Sequence, residues 1–325
     1  MTDTVDPRGI RLEASSHCQL RCPSCPTTTG AIDAAVGRGF LKAADFRQLL
    51  DDAPLLQHVE LSNYGEIFLN PDLPEIMALA QERGLRLTAD NGVNLNTIRD
   101  EVLEGLVKYG FHSMTVSLDG ASQETYGRYR LRGDFDKVIA TIRRLNEFKK
   151  IYGSERPALA WQFIVFGHNE HEIETAREMA RSLDMTFRTK LSWDEDLSPV
   201  KDGPRVAAAS GLGVASRSAF EEKFGRHYGQ PICKQMWTMP QVNWDGKMLG
   251  CCRNFWGDFG GNAFRDGLKA SVNSEKMVYA RQMLQGKQPA RDDIPCTTCE
   301  IYQGMKARGR FFRVETVPPG KTRAP

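Results

Sequence analysis

The sequence predicts an α/β protein in which a parallel sheet carries helices on its outside, as an open barrel or a doubly wound sheet. Three observations carry this. Over the first 193 residues, short β-rich runs alternate with amphipathic helical stretches. Six successive β–α units imply parallel strands, because a helix intervenes before each following strand. The polar and cysteine residues with chemistry to offer also cluster where the strands end, which is where such folds build their sites.

The strands are expected at GIRLEAS (9–15), QHVELSNYG (57–65), LRLTADNG (85–92), SMTVSLDG (113–120), LAWQFIVFG (159–167) and TFRTKLSW (186–193). Helical patterns lie between them in AADFRQLLDDA, PDLPEIMALAQERG, IRDEVLEGLVKYG and DFDKVIATIRRLNEFKKIYG. Glycine after a basic or aromatic residue closes such stretches, as helix C-termini often do, and Pro71-Asp72 marks a helix start. The alternation ends after WDEDLSPVKDGP. Residues 201–230 read as a linker with a short helix in SRSAFEEKFG. The following Cys-, Gly- and Trp-rich stretch reads as a second, smaller domain over 231–310, and 311–325 as a tail. There is no internal repeat.

At 325 residues the chain has room for one large domain and a small one. Apolar residues at 41% and charged residues at 26% are ordinary for a soluble globular protein. A net charge of +2 argues against a nucleic-acid or membrane-surface specialist. The basic stretch KARGRFFRV (306–314) reads as a solvated terminal segment. No apolar run approaches the roughly 20 residues that cross a bilayer. The opening MTDTVDPRG lacks the basic-then-apolar order of a secretory signal. The expected location is the cytoplasm, where thiols stay reduced.

Eight cysteines in such a chain invite a count of ligands rather than a disulfide map. Cys18, Cys22 and Cys25 form an N-terminal CxxxCxxC trio; Cys233, Cys251, Cys252, Cys296 and Cys299 form a distant C-terminal set. Three thiolates on one short loop can wrap three irons of a cubane cluster and leave the fourth for a non-protein ligand. An open coordination position signals catalysis rather than scaffolding. A zinc knuckle would need a fourth ligand. Only His17 is near, and its adjacency to Cys18 makes tetrahedral ligation by both awkward.

CQLRCPSC after a first strand resembles the radical S-adenosylmethionine superfamily, and the resemblance covers nearly the whole chain. It implies a partial (β/α)6 TIM-like barrel over residues 1–200. It also implies a [4Fe–4S] cluster on Cys18, Cys22 and Cys25 whose fourth iron is chelated by S-adenosylmethionine, giving a 5′-deoxyadenosyl radical on reduction. YGEIFLNPDL (64–73) resembles the family's Gly-Glu motif, with Tyr64, Gly65 and Glu66 at the cofactor and Glu66 accepting the methionine ammonium. The family often has Gly-Gly-Glu-Pro there; Tyr64 and Ile67 stand at the flanks here. By the same resemblance Asn91 lies near the ribose and Ser117 contacts the cofactor. Arg128, Arg130 and Lys190 are candidates for the cofactor carboxylate.

Cys233, Cys251, Cys296 and Cys299 supply four thiolates, two of them around the hairpin QVNWDGKMLGC with Asp245-Gly246 as its turn. Four ligands close a site, and from the spacing alone a zinc ribbon stands beside an iron–sulfur cluster. Given the first domain, the set resembles the Twitch form of the SPASM domain, which implies a single auxiliary [4Fe–4S] cluster. This pattern resembles aminocyclitol dehydrogenases and sugar epimerases of antibiotic pathways, while other relatives modify peptides or proteins.

Cys252 is left over beside Cys251. It is either a small buried residue or a hydrogen-atom donor, since an S–H bond is weaker than an alkyl C–H bond. Adjacent strand residues face opposite sides, so Cys251 and Cys252 are expected to diverge. Trp161, Gln162, Trp193, Asp194, Glu195, Asp196, Trp244, Arg253 and Asn254 suit a hydroxylated ring at the barrel mouth. Only about ten residues precede the first strand, which lowers the expectation of a peptide substrate. The expected enzyme epimerises a sugar or aminocyclitol using Cys252. The alternatives are alcohol dehydrogenation through the auxiliary cluster and peptide or protein modification. Flavodoxin or ferredoxin is the expected electron donor, with no nucleic acid or membrane as partner.

Overall fold

A computed structural model describes residues 3–312. Its strands are β1 (Gly9–Leu12), β2 (His58–Glu60), β3 (Arg86–Val93), β4 (Ser113–Ser117), β5 (Ala158–Val165), β6 (Met185–Leu191), β7 (Gln241–Val242) and β8 (Met248–Gly250). They form one sheet in the order β6-β5-β4-β3-β2-β1-β7-β8. The first six run parallel, as six β–α units require. β7 continues the parallel set beside β1 and pairs antiparallel with β8. The fold is the α/β class read from the sequence, and every one of the six strands but β3 is shorter than its β-rich run because the last residues turn into the loops that carry the candidate site.

Helices at Ala43–Asp52, Leu73–Glu82, Asp100–Lys108, Phe135–Ile151 and Ile173–Ser182 connect the strands. Each buries an apolar stripe, such as Phe46, Leu49 and Leu50 in the first. Gly84, Gly110 and Gly153 follow three of these helices at φ between 58° and 66°, the left-handed conformation that stops a helix. Asp72 precedes its helix without capping it; its carboxylate accepts the Ala43 N–H at 3.1 Å, at the start of the neighbouring helix.

One continuous apolar core runs from Ile10 to Met305. Residues 201–230 hold helices Gly203–Ala209 and Arg217–Phe224, whose Val206 and Phe220 enter that core. The hairpin turn is where the sequence predicts it, with Gly246 at φ 87°. In 306–312 the basic residues are exposed, but Phe311 and Phe312 pack against the core, so this stretch is docked rather than fully solvated. The remainder of the tail, from 313, lies outside the described residues. Among the described residues no helix is long and apolar enough to cross a membrane.

Candidate active site

The trio sits on the loop leaving β1. Cys22 is buried and Cys18 and Cys25 are half-buried, against Leu20, Tyr129, Ile164 and Phe166. Cys25 N–H donates to the Cys22 carbonyl at 3.1 Å, and the short helix Pro26–Thr29 starts immediately behind it. Burial pushes the Cys18 thiol up to about 12 and raises Cys22 too, with the Cys25 sulfur adding to both shifts. Such thiols ionise when a metal takes the proton's place. Two N–H groups already address the sulfurs: Arg130 Nη1 lies 3.7 Å from Cys22 Sγ and Asn94 Nδ2 3.8 Å from Cys18 Sγ. Hydrogen bonds of this kind stabilise cluster thiolates. Three soft donors with N–H support fit an iron–sulfur cluster. Among the described residues no group of His, Cys, Asp and Glu is set to hold a single metal ion, whereas cubane ligands each bind a separate iron. The His17 ring packs on Phe40, centroids 4.7 Å apart.

The loop after β2 is fitted against this one. A Cβ on Gly65 would stand 2.0 Å from the Ser15 carbonyl oxygen and 2.7 Å from that of His17, so only glycine admits this approach. Glu66 N–H donates to the His17 carbonyl at 2.8 Å. The buried Glu66 carboxylate accepts the Asn94 N–H at 2.6 Å, and burial pushes its carboxyl up to about 7. Glu13, fully buried behind the turn, accepts the N–H groups of Tyr64 and Gly65 at 3.1–3.2 Å, and burial pushes it up to about 8. Glu13 and Asn94 were not singled out from the sequence. A buried-strand Glu at position 13 was the available signal.

β3 runs on to Val93, and its register against β4 shifts between Ala89 and Val93. Asn91 and Gly92 therefore lie in a strand irregularity rather than at a strand end. Asn91 N–H donates to Ser62 Oγ at 3.1 Å, and its amide side chain to Asn63 Oδ1 at 3.1 Å. Gly92, at φ 137°, leaves space that the Ser117 hydroxyl uses, since a Cβ there would be 2.5 Å from it.

Of the three cation candidates the structure brings two inward. Arg130 Nε donates to the wholly buried Asp119 carboxylate at 2.7 Å, whose other oxygen accepts the Ile164 N–H. Its guanidinium thus stands between Cys22 and Asp119. Lys190 is on β6, half-buried, with its ammonium 6.0 Å from the Trp193 ring. Arg128 stays on the solvent side, its side chain 59% exposed and 4.0 Å from Glu124. It sits one helical step from Arg130 and points the other way.

At the other end of the sheet, Cys233, Cys251, Cys296 and Cys299 line one pocket with Met236 and Trp256. Burial pushes Cys251 up to about 12 and raises Cys233 and Cys296. Cys252 is not in that lining. β8 ends at Gly250, so the cysteine pair occupies a turn and strand alternation does not govern it. Divergence comes instead from Gln235, whose side-chain oxygen accepts the Cys252 N–H at 2.8 Å while its amide nitrogen reaches Cys252 Sγ at 3.4 Å. The Cys252 carbonyl accepts the Tyr64 hydroxyl at 2.9 Å, and that hydroxyl also lies 2.8 Å from the Asn254 carbonyl. Tyr64 thereby ties the Gly-Glu loop to the C-terminal cysteine segment.

The expected ring of hydroxyl-binding residues is only partly assembled. Trp161 is wholly buried with its indole N–H on the Leu118 carbonyl at 2.7 Å, packed near Phe135 and Phe187 under the helices. Its neighbour Gln162 takes the opposite face, the one shared by Ile164 beside the trio. Trp244 is held under Gly39, donating to the Val36 carbonyl. Asn254 is used within its own loop and Arg253 is paired with Glu300. Trp193 is 43% exposed and reaches the Ser24 carbonyl in the trio loop. Asp194 accepts the Ser24 hydroxyl at 2.5 Å.

Comparison with known proteins places this geometry. The AdoMet-dependent heme synthase of Methanosarcina barkeri is 31% identical over 147 residues, 44% of this chain and 40% of that protein. The PqqA peptide cyclase of Granulibacter bethesdensis is 25% identical over 195 residues, 59% of this chain and 48% of that protein. The matches thus span less than half the length of these relatives. SuiB of Streptococcus suis bound to S-adenosylmethionine superposes with TM-score 0.64 at 15% identity, over 91% of this chain and 71% of SuiB. BtrN in complex with AdoMet and 2-DOIA gives 0.51 at 15%, over 90% and 93%. These two show a shared fold. The model of the Radical SAM superfamily matches residues 12–180, just over half of the chain and the span holding the trio, the Gly-Glu loop and the ends of β3 to β5. The chain belongs to the Radical SAM superfamily, whose members carry a [4Fe–4S] cluster and S-adenosylmethionine.

Proposed function

We propose that this enzyme removes a hydrogen atom from one carbon of a sugar, aminocyclitol or related polyol and that Cys252 returns one to the opposite face, inverting the centre. The observation that carries the reading is the place of Cys252: outside the four-cysteine pocket, clamped by Gln235, and joined through Tyr64 to the loop that bears Glu66. Cys18, Cys22 and Cys25 would hold the family cluster. Glu66, with Gly65, Asn91 and Ser117, would hold S-adenosylmethionine; the carboxylate of Glu66 would take the methionine ammonium, and Arg130 reaches Cys22 Sγ at 3.7 Å. Bound there, the cofactor supplies the power to abstract hydrogen from an unactivated C–H bond. Cys233, Cys251, Cys296 and Cys299 would hold a second [4Fe–4S] cluster.

Return of hydrogen breaks the Cys252 S–H bond and forms a C–H bond, leaving a sulfur radical that one electron and one proton restore. Flavodoxin or ferredoxin is the proposed electron source. The test is Cys252→Ala: inversion should stop while 5′-deoxyadenosine still forms, and product made in deuterium oxide by the wild type should carry one deuterium at the inverted carbon. Normal inversion by the variant overturns the donor role, and a ketone product shows dehydrogenation. Reconstituted protein should bind about eight irons per chain, falling to about four in Cys296→Ser.

Two relatives favour a second reading, modification of a peptide: the PqqA peptide cyclase, and the mycofactocin maturase MftC of Mycobacterium tuberculosis, 27% identical over 143 residues. Co-purification of a small peptide that the enzyme alters would establish it over the first.

A further inference from the structure

The barrel mouth holds a cationic group that the roles above leave unused. Alternation along β6 puts Arg188 and Lys190 on one face. That face is the barrel interior, because Arg188 Nη2 reaches Thr115 Oγ1 at 2.6 Å and the Asp90 carbonyl at 3.1 Å across the sheet. The Lys190 ammonium has neither a hydrogen bond nor an ion pair among the described residues; its contact is the Trp193 ring at 6.0 Å. Arg217, from the helix Arg217–Phe224, places its guanidinium at 6.0 Å from the same ring and 4.7 Å from Tyr228. Its Nε donates to the Leu191 carbonyl at 3.1 Å, which fixes it beside β6, and it too has no ion pair among the described residues.

The acids that act on this pair are committed elsewhere. Glu195 accepts the Ser218 N–H at 2.9 Å and its hydroxyl at 2.7 Å. Glu300 is held by Arg253 at 2.5 Å and His227 at 2.9 Å. Asp119 is held by Arg130. Two neighbouring cations with no anion between them repel, and burial pushes the Lys190 ammonium down to about 8, with Arg217 as the next cause. An arrangement this unfavourable in the free protein becomes favourable when an anion enters.

We infer that Lys190 and Arg217, both set against the Trp193 ring, form a subsite for an anionic group of the substrate, a phosphate or a carboxylate. The inference deepens the proposed function by naming the substrate class, and it rests on that reading for the mouth being the substrate site. The position suits it. Trp193 is anchored to Ser24 in the loop of the trio cysteines, and Tyr64 ties the neighbouring Gly-Glu loop to the Cys252 carbonyl. A substrate tethered by its anion at Lys190 would hold its ring between the trio loop and Cys252. It also separates the cations by role: Arg130 belongs to the cluster side and Lys190 to the substrate side.

Equilibrium dialysis of the reconstituted holoenzyme tests this with three probes: glucose 6-phosphate, glucuronate and neutral glucose. One of the two anions should bind at least about tenfold tighter than glucose, as a charge-assisted contact warrants, and which one identifies the group. Lys190→Gln should remove about that factor, Lys190→Arg should restore most of it, and S-adenosylmethionine affinity should not change in either. Glucose binding as tightly as both anions, neither anion binding at millimolar concentration, or unchanged affinities in Lys190→Gln would overturn the inference. So would a loss of S-adenosylmethionine affinity in place of the anion's, since Lys190 would then be a cofactor ligand. Cys252→Ala should bind the anion normally, so failure of the inversion test leaves this result standing, and the reverse.

Discussion

Gly65→Ala perturbs the joint between the two loops that would build the proposed cofactor site. The new methyl would meet the Ser15 carbonyl oxygen at 2.0 Å, its carbon at 2.6 Å and the His17 oxygen at 2.7 Å. These are backbone atoms, so no rotamer relieves the overlap. Reaching an ordinary contact of 3.4 Å requires more than 1 Å of relative movement between the β2 loop and the loop carrying Cys18. Overpacking of this kind costs about 1–3 kcal/mol, which for a chain of this size lowers Tm by roughly 1.5–4.5 °C. The functional loss should be larger, because the Glu66 N–H bond to His17 spans the same gap, and about 1 Å of misplacement can cost on the order of 100-fold in rate. The assay is anaerobic: iron per chain, Tm by scanning calorimetry, and the rate of 5′-deoxyadenosine formation under reductant. Iron should stay bound, since all ligands remain, while the rate falls steeply. A variant with unchanged Tm and unchanged rate would refute the reasoning.

Glu66→Gln keeps the shape of the side chain and removes its charge. Affinity for S-adenosylmethionine, measured by equilibrium dialysis, should fall at least about tenfold, with Tm little altered. Glu13 gives a pH signature. Its folded carboxyl, up at about 8 against an ordinary 4.5, keeps a proton that the unfolded chain has lost, so the wild type loses stability as pH rises between those values. The slope is at most about 1.4 kcal/mol per pH unit and should be absent in Glu13→Gln, as denaturant titrations from pH 6 to 8.5 would read (about these limits). Arg130→Ala leaves the Asp119 carboxylate buried without its cation, and should lower unfolding free energy by about 3–5 kcal/mol in the same titrations.

Much of the candidate site could be nominated from the sequence because its motifs are local. The three trio cysteines share one eight-residue stretch, and Glu66 is recognised by its neighbours Tyr64 and Gly65. The strand ends could be located because apolar runs and helix-stopping glycines mark them. What escaped was non-local. Glu13 grips a turn 51 residues away and Asn94 meets Glu66 from 28 residues on, and no local pattern announces either pairing. Trp161 was misplaced for a related reason: alternation states that Trp161 and Gln162 face opposite ways, but not which way is inside. The divergence of Cys251 and Cys252 was anticipated on strand alternation, yet a glutamine clamp on a turn produces it.

By itself the chain's sequence determined the parallel α/β class and the family likeness of the CxxxCxxC trio, since repeating β–α periodicity and short motif spacing are written along one dimension. Tertiary structure alone decided that β7 lies against β1, that Arg130 turns inward while Arg128 faces water, and that Lys190 and Arg217 meet around one indole. Those outcomes depend on which surfaces come together when the sheet closes and buries its core, and neighbours in space leave no fixed interval in the chain.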